Sequence, residues 1–194
     1  MKSVEQQLLG ICIWATVLCA VPVYGKTPSQ RQSQWQGKVN RILPLLGHRN
    51  WIVIVDSAYP LQTSPGVQTI ETGAGEIDVL QDVLFDLDHS IHVRPIVYMD
   101  AELPFVSAQD APGVTQYRKQ IGAVLRNHSI NTLPHDEIIH KIDETGKMFD
   151  VIVLKTNLAI PYASVFLQLD CKYWSADAEA RLRLAMEKAR MDGR

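Results

Sequence analysis

One short apolar stretch constrains the fold of this chain more than any other. Residues Trp51 to Val55 read Trp-Ile-Val-Ile-Val, a run of aromatic and β-branched side chains that lies between Gly47 and Pro60. Such a run favours a β-strand. Because both faces of this strand are apolar, we expect it to be a central strand that is covered on two sides.

Polar residues stand at both ends of this strand. His48 comes just before it and Asp56 just after it. In open α/β sheets ligands bind beyond the carboxyl ends of the strands, so Asp56 is a candidate for ligand contact. Both positions also have a purely structural interpretation, since Asp commonly stabilises a turn and a Gly-His pair often forms one.

A straight strand would separate His48 from Asp56 by roughly 25 Å, because an extended chain advances about 3.3 Å per residue. The two side chains could then not contact the same small ligand within one subunit. Either the chain folds back at Gly47, or a neighbouring subunit completes the site. We therefore carry forward the hypothesis of an oligomer.

The composition is that of one globular domain. The chain has 194 residues, 46% of them hydrophobic, which suffices for a core. A net charge of -2, without a Lys/Arg cluster, gives no electrostatic case for nucleic acid. The cysteines show no zinc spacing. His89 and His92 have the spacing of a helical metal site, but Pro95 argues against a helix there, so we expect no metal.

The N-terminus predicts export. A positively charged start precedes an apolar run from Leu8 to Val23, and a small-x-small pattern ends at Gly25. We expect residues 1–25 to be a signal peptide that is cleaved after Gly25. The protein would then be periplasmic or secreted, with no stable membrane span. An uncleaved anchor and a lipoprotein at Cys19 are the alternatives.

Helical and strand patterns alternate along the rest of the chain. Residues 26–40 are interpreted as a flexible polar linker, at whose end a helix over 35–46 begins, and residues 61–75 as a loop. Later helices are predicted at 76–87, 115–126 and 136–145, and later strands at 94–99, 150–155 and 163–169. This order predicts an α/β domain over residues 41–174, followed by a C-terminal helix over 175–194 that Ser175 caps.

Further polar residues lie next to these elements. Asp100 and Glu102 follow a predicted strand and could share the mouth of a site with Asp56, although a solvated turn is the favoured interpretation of Glu102. His135 comes at the start of a predicted helix, where loops display functional groups.

Two motifs together resemble a known family. Leu46-Gly47-His48, followed after the strand by Asp56-Ser-Ala58-Tyr-Pro60, resembles the opening "GH…DA..P" signature of the RbsD/FucU family of D-ribose pyranases and L-fucose mutarotases. Pro161-Tyr162-Ala163-Ser164 is similar to the "PYAN" motif of the closing strand. The resemblance covers roughly Leu43 to Leu169 and includes the order of the elements between the two motifs.

The resemblance implies a fold and a function. The fold is a three-layer α/β/α sheet with short mixed strands. The function is that of a mutarotase or pyranase-like isomerase that interconverts anomers or ring forms of a reducing sugar by His-mediated proton transfer. His48 would be the catalytic proton donor, and the monosaccharide would be bound by Asp56, His135, Tyr162 and Ser164. No cofactor is implied. The family forms homo-oligomeric rings, with a decamer as the implied size, and has its sites between neighbouring subunits.

Two departures from the family leave other functions open. Ser164 stands where the family has Asn, and Ile139 stands where ribose pyranases have Lys. A Ser hydroxyl makes fewer hydrogen bonds than an Asn amide. A non-catalytic carbohydrate-binding protein on the same scaffold is therefore the alternative, and a structural oligomer without a sugar function is the third hypothesis.

Overall fold

A computed structural model describes the backbone of residues 28–193 and the side chains from residue 34 onward. The predicted signal peptide at 1–25 lies outside the described residues and stays a prediction. No helix among residues 28–193 is long and apolar enough to cross a bilayer.

Helices and strands alternate along the described chain. The helices are α1 (Pro28–Ile42), α2 (Glu76–His89), α3 (Val114–Val124), α4 (His135–Thr145) and α5 (Ala176–Met191). The strands are β1 (Trp51–Val55), β2 (Val67–Glu71), β3 (Val93–Asp100), β4 (Ile130–Leu133), β5 (Val151–Lys155) and β6 (Val165–Cys171). Short 3-10 turns at Leu43–Leu45 and Leu103–Phe105 follow α1 and β3.

The strands form one mixed sheet in the order β2-β5-β1-β6-β3-β4. β1, β5 and β2 are parallel, β3 and β4 are parallel, and β6 runs antiparallel to both of its neighbours, β1 and β3. The start of β6 therefore lies at the carboxyl edge of the other strands, where Val165 pairs with Ile54 and with Met99. This reversal brings the residues just before β6 to the edge at which Asp56 lies.

The sheet separates two apolar layers. Ile52 and Ile54 of β1 belong to a core shared with helices α1, α2 and α3. Trp51, Val53 and Val55 point the other way and pack with residues of α4. All of β1 is buried, which confirms the predicted central strand, and the helices on both faces give the expected three-layer α/β/α fold.

Helix α1 occupies most of the stretch for which the sequence suggested a flexible linker. It begins at Pro28 instead of near residue 35. Proline suits the first turn of a helix because its φ is already helical and its missing N–H is not needed there. Trp35 and Val39, one turn apart, are each 2% exposed and pack this helix onto the core. The sequence analysis missed the first part of this helix because its residues are mostly polar and only one narrow face is apolar.

Two strands were missed by the sequence analysis. β2 lies within the predicted loop 61–75, and β4 lies between the predicted helices at 115–126 and 136–145. Both are edge strands, and few of their residues are buried. Edge strands of four or five residues have little apolar periodicity, so the pattern that reveals a central strand is weak in them.

Helix α5 has the predicted position and cap. The Ser175 side chain accepts a hydrogen bond from the backbone N–H of Ala178. No residue of α5 is buried in the described structure, so its apolar stripe, which includes Leu182 and Met186, does not pack on the domain.

Candidate functional site

The carboxyl edge of the sheet gathers polar side chains from four separate elements. Asp56 follows β1, Asp100 ends β3, His135 opens α4, and Tyr162 precedes β6. Parallel strands end at the same edge, and the reversed direction of β6 adds Tyr162 to them. This edge is the expected place for a ligand site in an α/β sheet.

A cavity of about 390 Å³ opens at this edge. Asp56, His135 and Tyr162, three of the predicted sugar-binding residues, all line it. The remaining wall is formed by Ala58, Tyr59, Pro60, Gln62, Ile139 and Pro161. Its volume lies within the range of about 300–1,000 Å³ that is usual for small-molecule sites.

His135 is held at its ring and at its backbone. Its Nδ1 lies 3.2 Å from Oδ1 of Asp100, and its backbone N–H donates to the Glu102 carboxylate at 3.0 and 3.1 Å. Its ring also meets the ring of Tyr162 edge-on, with 5.4 Å between the ring centroids. One short segment after β3 thus supplies both polar partners of His135.

The Glu102 contact explains how α4 begins. The N-cap position is Pro134, whose side chain offers no acceptor for the first N–H groups of the helix. The Glu102 carboxylate takes that role from a distance of 33 residues in sequence, where the helix dipole also favours a negative charge. Glu102 therefore caps α4 from a half-buried turn, a role that the sequence did not indicate.

Asp100 is a buried carboxyl group beside this histidine. Its side chain is 0% exposed, and its Oδ2 has no hydrogen-bond partner in the described structure. Burial raises the pKa of Asp100 to about 6, against the opposing influence of His135. The group therefore changes its charge within the range in which histidine also titrates.

Asp56 keeps one oxygen available for a ligand. Its Oδ1 accepts the N–H of Ala58 at 2.7 Å in a local turn, and no described protein group donates to its Oδ2. Tyr59 is buried beside it, and its hydroxyl accepts a hydrogen bond from Gln62. Burial raises the pKa of Tyr59 to about 12, so this hydroxyl stays protonated near neutral pH.

Tyr162 has an unusual backbone conformation. Its φ of 57° lies in the left-handed region, which costs a non-glycine residue on the order of 1–3 kcal/mol. Strain of this kind persists where surrounding contacts impose it, and functional sites are a common location. Ser164, the fourth predicted binding residue, is buried at the start of β6 and does not line the cavity.

His48 lies at the opposite edge of the sheet. It is exposed in the turn before β1, where the Arg49 N–H donates to the carbonyl of Leu169 near the end of β6. The chain turns tightly here, since Gly47 and Asn50 exchange hydrogen bonds, but this turn does not return His48 to Asp56. Within one subunit the predicted catalytic histidine is therefore separated from the cavity by the length of β1.

A second buried carboxyl group, which the sequence analysis missed, is linked through a tyrosine to the backbone next to Tyr162. Glu76 is 2% exposed, and burial raises its pKa well above the usual value. The Tyr117 hydroxyl lies 2.9 Å from Glu76 Oε1 and 2.6 Å from the carbonyl of Ala163. A hydroxyl has one proton, so a protonated Glu76 allows both contacts to be hydrogen bonds. A Glu in the first turn of a helix is ordinarily exposed, so no local pattern reveals this role.

Metal ligation has no support among the described side chains. No group of three His, Cys, Asp or Glu residues from residue 34 onward is arranged to hold an ion. His89 and His92 contact the backbone carbonyls of Phe85 and Leu46 instead.

One protein-family model matches most of the chain. The model of the RbsD / FucU transport protein family matches residues 31–171. No curated protein sequence matches the chain. Among solved structures, RbsD of Bacillus subtilis in complex with D-ribose is 20% identical with a TM-score of 0.49, over 69% of this chain and 91% of that chain. The fucose mutarotase of Streptococcus pneumoniae in complex with L-fucose is 16% identical with a TM-score of 0.46, over 69% and 91% of the two chains.

Proposed function

Because the chain belongs to the RbsD / FucU transport protein family, whose model matches residues 31–171, we propose that it is a mutarotase or pyranase-like isomerase acting on a reducing monosaccharide. The observation that carries this proposal is the cavity at the carboxyl edge of the sheet, where Asp56, His135 and Tyr162 meet. An acid-base residue, a free carboxylate oxygen and an aromatic ring are there on one wall.

The reaction asks for proton transfer only. One proton leaves the anomeric hydroxyl and one is added to the ring oxygen, so the C–O bond of the ring breaks and an aldehyde forms. Reclosure on the other face, or through another hydroxyl, reverses both transfers. The balance needs no oxidant, reductant or metal, and positioned acids and bases contribute about 10²–10⁴-fold to such steps.

The cavity wall favours an uncharged sugar. Its lining includes the carboxyl group of Asp56, and it contains no Lys or Arg. A phosphate group bound there would meet the negative charge of Asp56 without a Lys or Arg to pair with it. Asp56 Oδ2 can instead bind a hydroxyl group, and the tyrosine rings offer apolar surface to the carbon face of the ring.

His48 can contribute only from another subunit. We propose that a neighbouring copy brings its His48 to the cavity, which would supply a second acid-base group opposite His135. Its exposure in the turn before β1 supports this role, because an exposed side chain is accessible to a neighbour.

The test is NMR observation of anomeric exchange in a panel of unphosphorylated reducing sugars, with the purified protein. Acceleration for at least one sugar is expected, and His135→Gln should reduce it by about 10²-fold or more. The half-buried His128→Gln variant, on the α3 side of the molecule and outside the lining of the cavity, is the matched control and should behave as the wild type. If no sugar exchanges faster in the presence of folded wild-type protein, the enzymatic proposal is wrong.

A second function is favoured by Ile139. This apolar side chain lines the cavity at the position where ribose pyranases have Lys. A protein that has lost one polar contact could still bind a sugar without converting it. Saturation-transfer signals from a sugar whose anomeric exchange is not accelerated would identify a non-catalytic carbohydrate-binding protein.

A further inference from the structure

We propose that Asp100 is a positioning residue that fixes the ring of His135 with Nε2 directed into the cavity, which makes His135 a proton-transfer group as well as a binding residue. This inference rests on the proposed function, because it names a residue that acts in the same reaction through His135. It assigns a role to a side chain that neither motif of the family resemblance includes.

The first support is the difference in burial along the contact. The Asp100 side chain is 0% exposed, whereas 37% of the His135 side chain is exposed. The ring nitrogen Nδ1 faces the buried carboxyl group at 3.2 Å, and no described protein group hydrogen-bonds Nε2. The ring therefore has one nitrogen tied to the protein and one available to a ligand in the cavity.

The second support is that the backbone of His135 is held by the same segment. Glu102, two residues after Asp100, binds the His135 N–H with both carboxylate oxygens. The Tyr162 ring contacts the imidazole edge-on from a third direction. These three contacts hold the backbone, Nδ1 and the edge of the imidazole. They therefore oppose a ring flip that would exchange the positions of Nδ1 and Nε2.

The contact determines which nitrogen carries the proton. An ionised Asp100 accepts a hydrogen bond from Nδ1–H, so the neutral ring has an unprotonated Nε2. That nitrogen can take the proton of an anomeric hydroxyl, and the carboxylate then stabilises the imidazolium that forms. On reclosure Nε2 returns the proton, so His135 is unchanged over the cycle.

Other charges act on this pair. Asp56 and Glu102 both raise the pKa of Asp100, and the nearby His135 lowers it. Arg118, from α3, lines a separate cavity together with Asp100, but its guanidinium donates to the carbonyls of Leu103 and Val106. The charge of Asp100 also contributes to the raised pKa values of three other groups, namely Tyr59, Glu76 and Tyr117. His135 is the group among these that hydrogen-bonds Asp100.

The experiment measures the tautomer of His135 by long-range ¹H–¹⁵N NMR in the intact protein, and anomeric exchange in the same samples. The variants are Asp100→Ala, which removes the acceptor, and the isosteric Asp100→Asn, which removes the charge. Asp110→Asn, in an exposed loop where it contacts Ser107, is the matched control. His135→Gln assigns the signal.

We expect the Nδ1–H tautomer in the wild type and in Asp110→Asn, and a shift toward the Nε2–H tautomer in Asp100→Ala. Asp100→Asn keeps an acceptor for Nδ1–H but loses the carboxylate charge that stabilises the imidazolium, so it tests the charge separately from the hydrogen bond. Both Asp100 variants should lose about 10-fold or more in exchange rate, with the larger change in kcat.

Two results overturn the inference. One is an unchanged tautomer of His135 in Asp100→Ala. The other is a changed tautomer with an undiminished exchange rate. A wild-type protein that accelerates no sugar instead refutes the proposed function and, with it, the catalytic role of His135. The tautomer measurement still decides in that case whether Asp100 positions the ring.

Discussion

At the scale of single residues, the site depends on carboxyl groups whose ionisation is controlled by burial. Asp100 contacts the histidine of the cavity, and Glu76 lies behind the segment that leads into β6. Burial raises the pKa of both groups. A carboxyl group with a raised pKa in the folded state favours folding when it is protonated, so the stability that it contributes is lost as pH rises.

Glu76→Gln should therefore stabilise the protein at high pH. The glutamate contributes most below its unfolded pKa of about 4.5 and loses that contribution as pH rises toward the higher folded value. Glutamine retains the hydrogen bond to Tyr117 and does not ionise. Thermal unfolding should show a higher Tm than the wild type at pH 8, by about 2–4 °C per kcal/mol relieved, and a smaller difference at pH 4.5. The exposed Glu187→Gln is the control, and an equal effect of both changes would contradict the argument.

Tyr162 should show opposite effects on stability and on activity. Tyr162→Gly removes the side chain from a left-handed backbone position with φ of 57°, which relieves strain on the order of 1 kcal/mol. The same change removes the ring that contacts His135, so we expect about 10-fold slower sugar exchange or more. Denaturant unfolding and NMR exchange measure the two effects. Tyr162→Phe keeps ring and strain, so a stability gain equal to that of the glycine variant would refute the strain argument.

At the scale of elements, the positions at which helices and strands begin and end bring the site residues together. The reversed β6 brings Tyr162 to the carboxyl edge, and α4 begins at His135. Neither start is stabilised by its own local sequence alone. For α4 the missing cap is supplied by Glu102, so helix stability and histidine position depend on one contact.

Glu102→Ala should weaken both the helix and the site. We expect a loss of about 1–2 kcal/mol in the free energy of unfolding, the usual contribution of a helix cap, and faster hydrogen exchange in the first turn of α4. Glu137→Ala removes a charge from the same turn without removing the cap, and should cost only about 0.3–1 kcal/mol. Indistinguishable losses in the two variants would mean that Glu102 acts through its charge alone.

At the scale of the whole molecule, the predicted proton donor and the predicted sugar-binding residues lie at opposite edges of one sheet. Asp56 and His135 line the cavity, while His48 precedes the first strand at the far edge. A site that uses all three must be shared between copies of the chain. Sharing of this kind is compatible with cyclic assemblies, in which one edge of each subunit faces a different edge of the next.

Mixed oligomers test this sharing. His48→Ala and Asp56→Ala proteins, each inactive alone, should recover about a quarter of the wild-type exchange rate when co-expressed in equal amounts, because a quarter of shared sites combine two unmutated side chains. The rate is measured per subunit by NMR, with each variant alone as the baseline. Activity that stays at the baseline in oligomers shown by mass to be mixed would place both residues in one subunit's site or remove His48 from the mechanism.

Local patterns in the sequence determined much of this protein. The apolar run of β1 predicted a central strand, and the amphipathic patterns predicted most of the helices. Polar residues at element ends predicted Asp56 and His135 as residues of the site, and the family resemblance predicted Tyr162; all three line the cavity. These inferences succeed because burial on two faces and helical periodicity are properties of neighbouring residues. The family motifs lie in the turns on either side of β1 and in the turn before β6.

Only the tertiary structure decided the rest. The strands β2 and β4 exist because they pair with β5 and β3, not because their own side chains are apolar. Glu102 became a helix cap, Asp100 a partner of His135, and Glu76 a buried acid through contacts that join residues 33 to 41 positions apart. The charge and exposure of these side chains depend on which residues the fold places next to them. Those neighbours are distant in sequence, so local patterns do not reveal them. The charge states of the site residues therefore depend on burial by residues distant in sequence, whereas the central strand and most helices follow from local sequence patterns.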